Sequence, residues 1–127
     1  MTVMVNMEEA GAMLDELAEE LPAEFYRELN GGILLNPEAK RHPNEPGLYI
    51  MGEYHTHHAL GRYIVIYYGS FARLYGGLPP AHWKRELRHT LRHEFTHHVE
   101  SLAGARDLER KDEERMERYK RGIRSEE

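Results

Sequence analysis

Apolar residues recur at helical spacing near the start of the chain: Met7, Ala10, Leu14, Leu17 and Leu21. Asn6 followed by Glu9 has the form of a capping box, so a helix is predicted from that point. Pro22 interrupts the row. "PAEFYREL" reads as a further helical piece with proline in its first turn, and Asn30-Gly31-Gly32 ends it. The pattern then changes. "ILL" (33–35) is a short apolar run and predicts a strand, while "NPEAKRHPNEPG", with its three prolines, predicts a loop. "LYIMGEYH" (48–55) is strand-like, and "THHALG" turns the chain. "RYIVIYYGSF" (62–71) is dense in β-branched and aromatic residues and is apolar on both faces. It predicts a strand lying between two layers or beside a cleft.

Gly76-Gly77 and Pro79-Pro80 break the chain again. From Ala81 to Ala103 nothing interrupts a helix, and Trp83, Leu87, Leu91, Phe95, Val99 and Leu102 make one apolar row. Gly104 is a candidate stop, after which "RDLERKDEERMERYKRG" reads as a last, highly charged helix. Helix, then strands, then helices predicts an α+β fold with a small sheet and helices on one side.

Bulk properties narrow the function. A chain of 127 residues that is 40% apolar predicts one globular domain, 1–127. No apolar run approaches the roughly 18 residues of a membrane span, and "MTVMVNMEEAG" has no leader pattern; a cytoplasmic protein without a membrane partner is expected. Cysteine is absent, which excludes disulfides, thiolate ligands and the zinc-finger class. The net charge of −5 argues against a nucleic-acid partner. The basic stretch 84–92 reads as a solvated helix face. The lack of glutamine and the excess of Glu over Asp lean toward a heat-adapted source.

One stretch carries chemistry. In "RHEFTHHVE" (92–100), His93 and His97 stand at i and i+4, so they share one face of the long helix. Two imidazoles on adjacent turns can each reach one ion at about 2.0–2.1 Å. Glu94 lies about 100° round from His93, beside the ligand row but off it. There it can take a proton from a water that a zinc ion has acidified. His-Glu-x-x-His thus supplies two ligands, His93 and His97, and a base that is not a ligand, Glu94. The apolar row lies off the histidine face.

The sequence here resembles the small bacterial zincin-like metallopeptidases, or mini-zincins. "MLDELAEELPAEFYRELNGGILL" is similar to that family's leading helix, Leu-Pro step and first strand. "PGLYIMGEYH" resembles its Leu-Gly-Leu-Tyr segment, "RYIVIYYGSF" the strand before its active helix, and "LRHTLRHEFTHH" its His-Glu-x-x-His-His signature. The resemblance implies a compact zincin-like α+β fold, with a small three-stranded sheet packed on helices that include the long active-site helix. An edge strand of that sheet would bind an extended peptide. It implies a zinc-dependent metallopeptidase acting on a peptide or protein, with His93 and His97 on the metal and Glu94 as general base. The alternative is a silent metal- or peptide-binding module on the same scaffold. A site of His and carboxylate also accepts cobalt, nickel or manganese.

The family signature continues His-Phe-Gly-x-Asp-Asp-Glu-Arg-Leu, with a carboxylate three residues past the glycine as third ligand. This chain has Glu100 and Ala103 in those slots, and its glycine comes late, as Gly104. One alignment makes Asp107 the ligand; the other matches "DEERM" (112–116) and selects Glu113. Four extra residues lengthen the helix by about 6 Å, so a segment returning from a turn reaches the metal later. That favours Glu113, with Asp107, Glu109 and Asp112 as alternatives. A site that no protein group closes also fits the sequence.

Other residues have plainer expectations. His55, His57 and His58 suggest either a second metal site or a loop beside a cleft, and His55 and His57 share a face if the strand extends that far. His98 is expected to pack with a hydrogen-bond partner. His82 and His89 are expected at the surface. His89 or Arg92 could stabilise an oxyanion, and Tyr67 and Tyr68 are expected to pack the sheet.

Overall fold

A computed structural model describes residues 2–120, with the backbone but not the side chains of 107–109, 112, 113 and 115–120. The fold is α+β: helices packed with a small mixed sheet. Helix α1 (Met7–Glu19) starts at the expected capping box. The Asn6 side chain accepts from the Glu9 backbone N–H at 2.8 Å, and Glu9 accepts from the Asn6 N–H at 3.0 Å. Ala10, Leu14 and Leu17 are buried, while Met7 is exposed. The piece after Pro22 is only a single 3₁₀ turn, Ala23–Tyr26.

Five strands follow: β1 (Gly32–Asn36), β2 (Lys40–Arg41), β3 (Tyr49–Ile50), β4 (Gly52–His57) and β5 (Gly61–Tyr67). The main sheet is three-stranded in the order β1-β5-β4, with β1 parallel and β4 antiparallel to β5. The expected loop 36–47 contains β2, which pairs with β3 in a separate ribbon. The single strand expected over 48–55 therefore splits at Met51. Residues before it pair with β2, and residues after it pair with β5.

The central place of β5 explains its two apolar faces. Ile64 and Ile66 are fully buried in a core shared with Leu14 and Leu17 of α1 and with Phe71, Trp83 and Leu87. On the opposite face Tyr67 is buried, with the Lys40 ammonium 5.3 Å from its ring centre.

Two further expectations about boundaries fail. The strand foreseen to residue 71 stops at Tyr67, and helix α2 (Tyr68–Tyr75) begins at once. A close approach forces this. A Cβ at Gly69 would collide with the backbone of Glu38 and Ala39, and the buried Ser70 hydroxyl accepts from the Lys40 N–H at 3.0 Å. The first turn of α2 is thereby set against the β1–β2 connection. The second failure is at Gly104. Helix α3 (Pro80–Lys120) passes through it and continues for 41 residues in all, about 60 Å. One glycine costs about 1 kcal/mol in a helix. The residues from Ala105 to Lys120 include no proline, glycine or β-branched residue, and their propensity outweighs that cost.

The core row of α3 also shifts. Trp83, Leu87, Leu91, Phe95 and Leu102 are buried as expected, but Val99 is 44% exposed and His98 is 0% exposed. Steps of four advance about 40° each beyond a full turn. By residue 99 the row has rotated off the core, and a step of three to His98 brings it back.

Candidate metal centre

His93 and His97 project from α3 into an open cleft between that helix and β4. The cleft has a volume of about 630 Å³, and its walls include Glu53 and His55 from β4 and Glu94, Glu100 and Ser101 from α3. Both histidines are exposed. Their rings meet edge to face at 4.8 Å, and their Nε2 atoms lie 3.2 Å apart. Two nitrogens that each sit about 2.0–2.1 Å from one tetrahedral ion are separated by about this distance. The pair's spacing and the chemistry of its donors thus fit zinc.

Glu94 is 5% exposed and lines the same cleft. Burial raises its carboxyl above the ordinary value. The His93 and His97 imidazoles oppose that rise, and the Glu53 carboxylate adds to it. Among the described residues no group of three or more His, Cys, Asp or Glu side chains is placed to hold an ion. The side chains of Asp107, Glu109, Asp112 and Glu113 lie outside the described residues. Their backbone continues along the α3 axis, about 15 Å past His97 at residue 107 and about 24 Å past it at residue 113. The returning segment that favoured Glu113 depended on a turn after Gly104, and the backbone makes no such turn.

The strand wall of the cleft holds a group that the sequence pattern did not single out. Glu53 accepts from Lys40 Nζ at 2.7 Å, from the Tyr67 hydroxyl, and from His55 Nε2 at 3.2 Å. Burial pushes the Glu53 carboxyl up, but these three donors outweigh it and hold the group below the ordinary carboxylate range. The signal was in the alternation of the strand, because Glu53 and His55 are two apart and share a face. Tyr67, expected to pack the sheet, does so and also binds Glu53. Tyr68 heads α2, where its hydroxyl donates to the Val5 carbonyl at 2.6 Å.

His98 has the buried packing role foreseen for it. A carbonyl can only accept, so His98 Nε2–H donates to the Arg27 carbonyl at 2.8 Å, and Nδ1 accepts from the Tyr54 hydroxyl at 2.7 Å. These bonds tie α3 to β4 and to the segment after the 3₁₀ turn. The hairpin histidines do not form a second centre among the described residues. His57 Nδ1 accepts the backbone N–H groups of Ala59 and Leu60, and its ring stacks on His58. His82 contacts Arg85 at the start of α3. Arg92 lies 3.8 Å from Glu20, and neither it nor His89 lines the cleft.

β4 is an edge strand of the sheet. Met51 accepts from the Tyr67 N–H at 2.9 Å, so by alternation Gly52, Tyr54 and Thr56 direct their backbone groups to the open edge.

No protein-family model matches the chain, and no curated protein does. Among solved structures, a conserved hypothetical protein from Thermus thermophilus superposes with a TM-score of 0.69 at 37% sequence identity. The match covers 79% of this chain and 99% of that one. With that identity over nearly the whole length of the relative, the chain belongs to the family of this conserved hypothetical protein.

Proposed function

We propose that the protein is a zinc-dependent metallopeptidase of the zincin-like type. The single observation that supports this reading best is the 3.2 Å separation of the His93 and His97 Nε2 atoms inside an open cleft, with the Glu94 carboxyl on the same wall. His93 and His97 would hold the metal. When bound, zinc would supply Lewis acidity toward a carbonyl and would acidify a water. Glu94 takes the proton from the attacking water and returns it to the leaving amine. A carboxyl raised by burial is a stronger base than an ordinary one, which suits that task. The edge groups of Gly52, Tyr54 and Thr56 would hold an extended peptide by strand addition.

A second reading is a catalytically silent metal- or peptide-binding module. The small size of the chain favours it, because 127 residues leave little to build specificity pockets.

Glu94→Gln separates the two. In the peptidase, zinc affinity stays within a few-fold while hydrolysis of an unstructured peptide library falls about a thousandfold. Zinc-loaded wild-type protein that cleaves no peptide in that library would establish the silent module instead.

A further inference from the structure

Among the described residues Arg62 has no counter-ion, and it reaches the cleft through one contact with its wall. It lies on β5 opposite Thr56 of β4. Alternation places it on the same face as Ile64 and Ile66, the face that packs on the helices. Its Nε donates to the Ser101 hydroxyl at 3.3 Å, and Ser101 is itself part of the cleft wall. Among the described residues neither Nη nitrogen has an acceptor, and no acid pairs with the guanidinium. Among the described residues no buried side-chain nitrogen or oxygen lacks a partner, so the Nη nitrogens are not sealed in the interior. Elsewhere on this molecule, Arg88 meets Glu20 through two bonds, and Lys40 meets Glu53. Glu100 leaves the helix about 100° round from Ser101 and makes no bond to Arg62.

The position has a chemical consequence. Ser101 is four residues beyond His97, one helical turn and about 6 Å along the axis. An extended peptide advances about 3.3 Å per residue. A group about two or three residues away from a bond lying over the histidine pair therefore reaches the level of Arg62. A guanidinium is permanently charged and presents a planar fork that matches a carboxylate through two N–H groups.

We infer that Arg62 is a carboxylate subsite of the cleft, selecting peptides that carry a carboxylate about two or three residues from the bond over His93 and His97. The inference rests on the metallopeptidase reading. The carboxylate belongs either to the chain terminus or to an Asp or Glu side chain, depending on which way the peptide runs along β4.

Three short peptide hydroxamates test it against zinc-loaded protein by calorimetry: one with a free C-terminal carboxylate, one amidated, and one amidated with an Asp side chain. Wild-type protein binds one of the two acidic probes at least tenfold more tightly than the neutral amide, and whichever it prefers identifies the source. Arg62→Gln removes that advantage while leaving zinc affinity and neutral-amide affinity within about twofold, and Arg62→Lys restores part of it. Equal binding of all three probes by wild type overturns the subsite. So does an Arg62→Gln variant that loses the neutral amide as much as the acids. If Arg62→Gln does not fold, the wild-type comparison and its loss in high salt decide alone. Failure to bind zinc, or binding of zinc but of no hydroxamate, removes the metallopeptidase reading itself and the subsite with it.

Discussion

Two groups of histidines line this molecule, and they behave differently. His55, His57 and His58 belong to the β4–β5 hairpin; His93 and His97 belong to α3. In the hairpin each ring is already engaged: His55 with Glu53 and the Tyr63 ring, His57 with two backbone N–H groups, His58 stacked on His57. On α3 the two Nε2 atoms face each other across 3.2 Å. The difference follows from the backbone. Positions i and i+4 on a helix bring side chains onto adjacent turns. Positions i and i+2 on a strand set them about 6.6 Å apart, and a histidine at a turn finds backbone donors closer than any neighbouring ring.

The largest expected effect tests that contrast directly. His93→Ala or His97→Ala lowers zinc affinity about a thousandfold or more, because even outer-shell partners are worth ten- to a hundredfold. His57→Ala and His58→Ala change it by less than about twofold. Titration calorimetry on the four variants decides, and equal losses from both groups would dissolve the distinction.

Stability separates His98 from its exposed neighbours. Removing it takes the partner from the part-buried Arg27 carbonyl and Tyr54 hydroxyl and leaves a cavity, costing about 2–4 kcal/mol. His58→Ala at the hairpin tip stays within about 0.5 kcal/mol. Urea unfolding of the metal-free proteins measures both.

The smallest effect concerns Glu94. Its folded pKa is raised above the ordinary 4.5 by burial. The neutral form is thus favoured by folding, and stability is lost as pH rises through the raised value. Metal-free Glu94→Gln escapes that loss, so it melts a few degrees above wild type at pH 7.5. Below about pH 4, where wild-type Glu94 is neutral in both states, the gap closes. Melting curves across that range check the sign; a gap that widens toward low pH would contradict the burial argument.

Legibility followed the reach of the forces involved. The capping box at Asn6 and Glu9 was readable because its partners are three residues apart. The histidine pair was readable because its members are four apart, on adjacent turns of one helix face. β5 was recognisable from its β-branched residues, but its end was not. Tyr68 and Phe71 suit a strand as well as a helix, and the backbone of Ala39, distant in sequence, decided between them. Gly104 misled because a glycine is a stop only when capping partners meet it, and here the helix-forming residues beyond it prevailed. Alternation puts Glu53 on one face with His55 but does not show what holds it there. Its role comes from Lys40 and Tyr67, which the fold delivers from other strands.

The sequence alone determined the α1 cap, the apolar ridge from Trp83 to Phe95, and the placing of His93, Glu94 and His97 on one stretch of helix. These depend on local geometry that 3.6 residues per turn imposes. Tertiary structure decided the rest: which strand walls the cleft, that Glu53 is held charged there, that His98 meets the Tyr54 hydroxyl and the Arg27 carbonyl, and that Arg62 meets Ser101. Those outcomes need groups from separate elements to come within a few ångströms of one another, and spacing along a chain carries no information about such meetings.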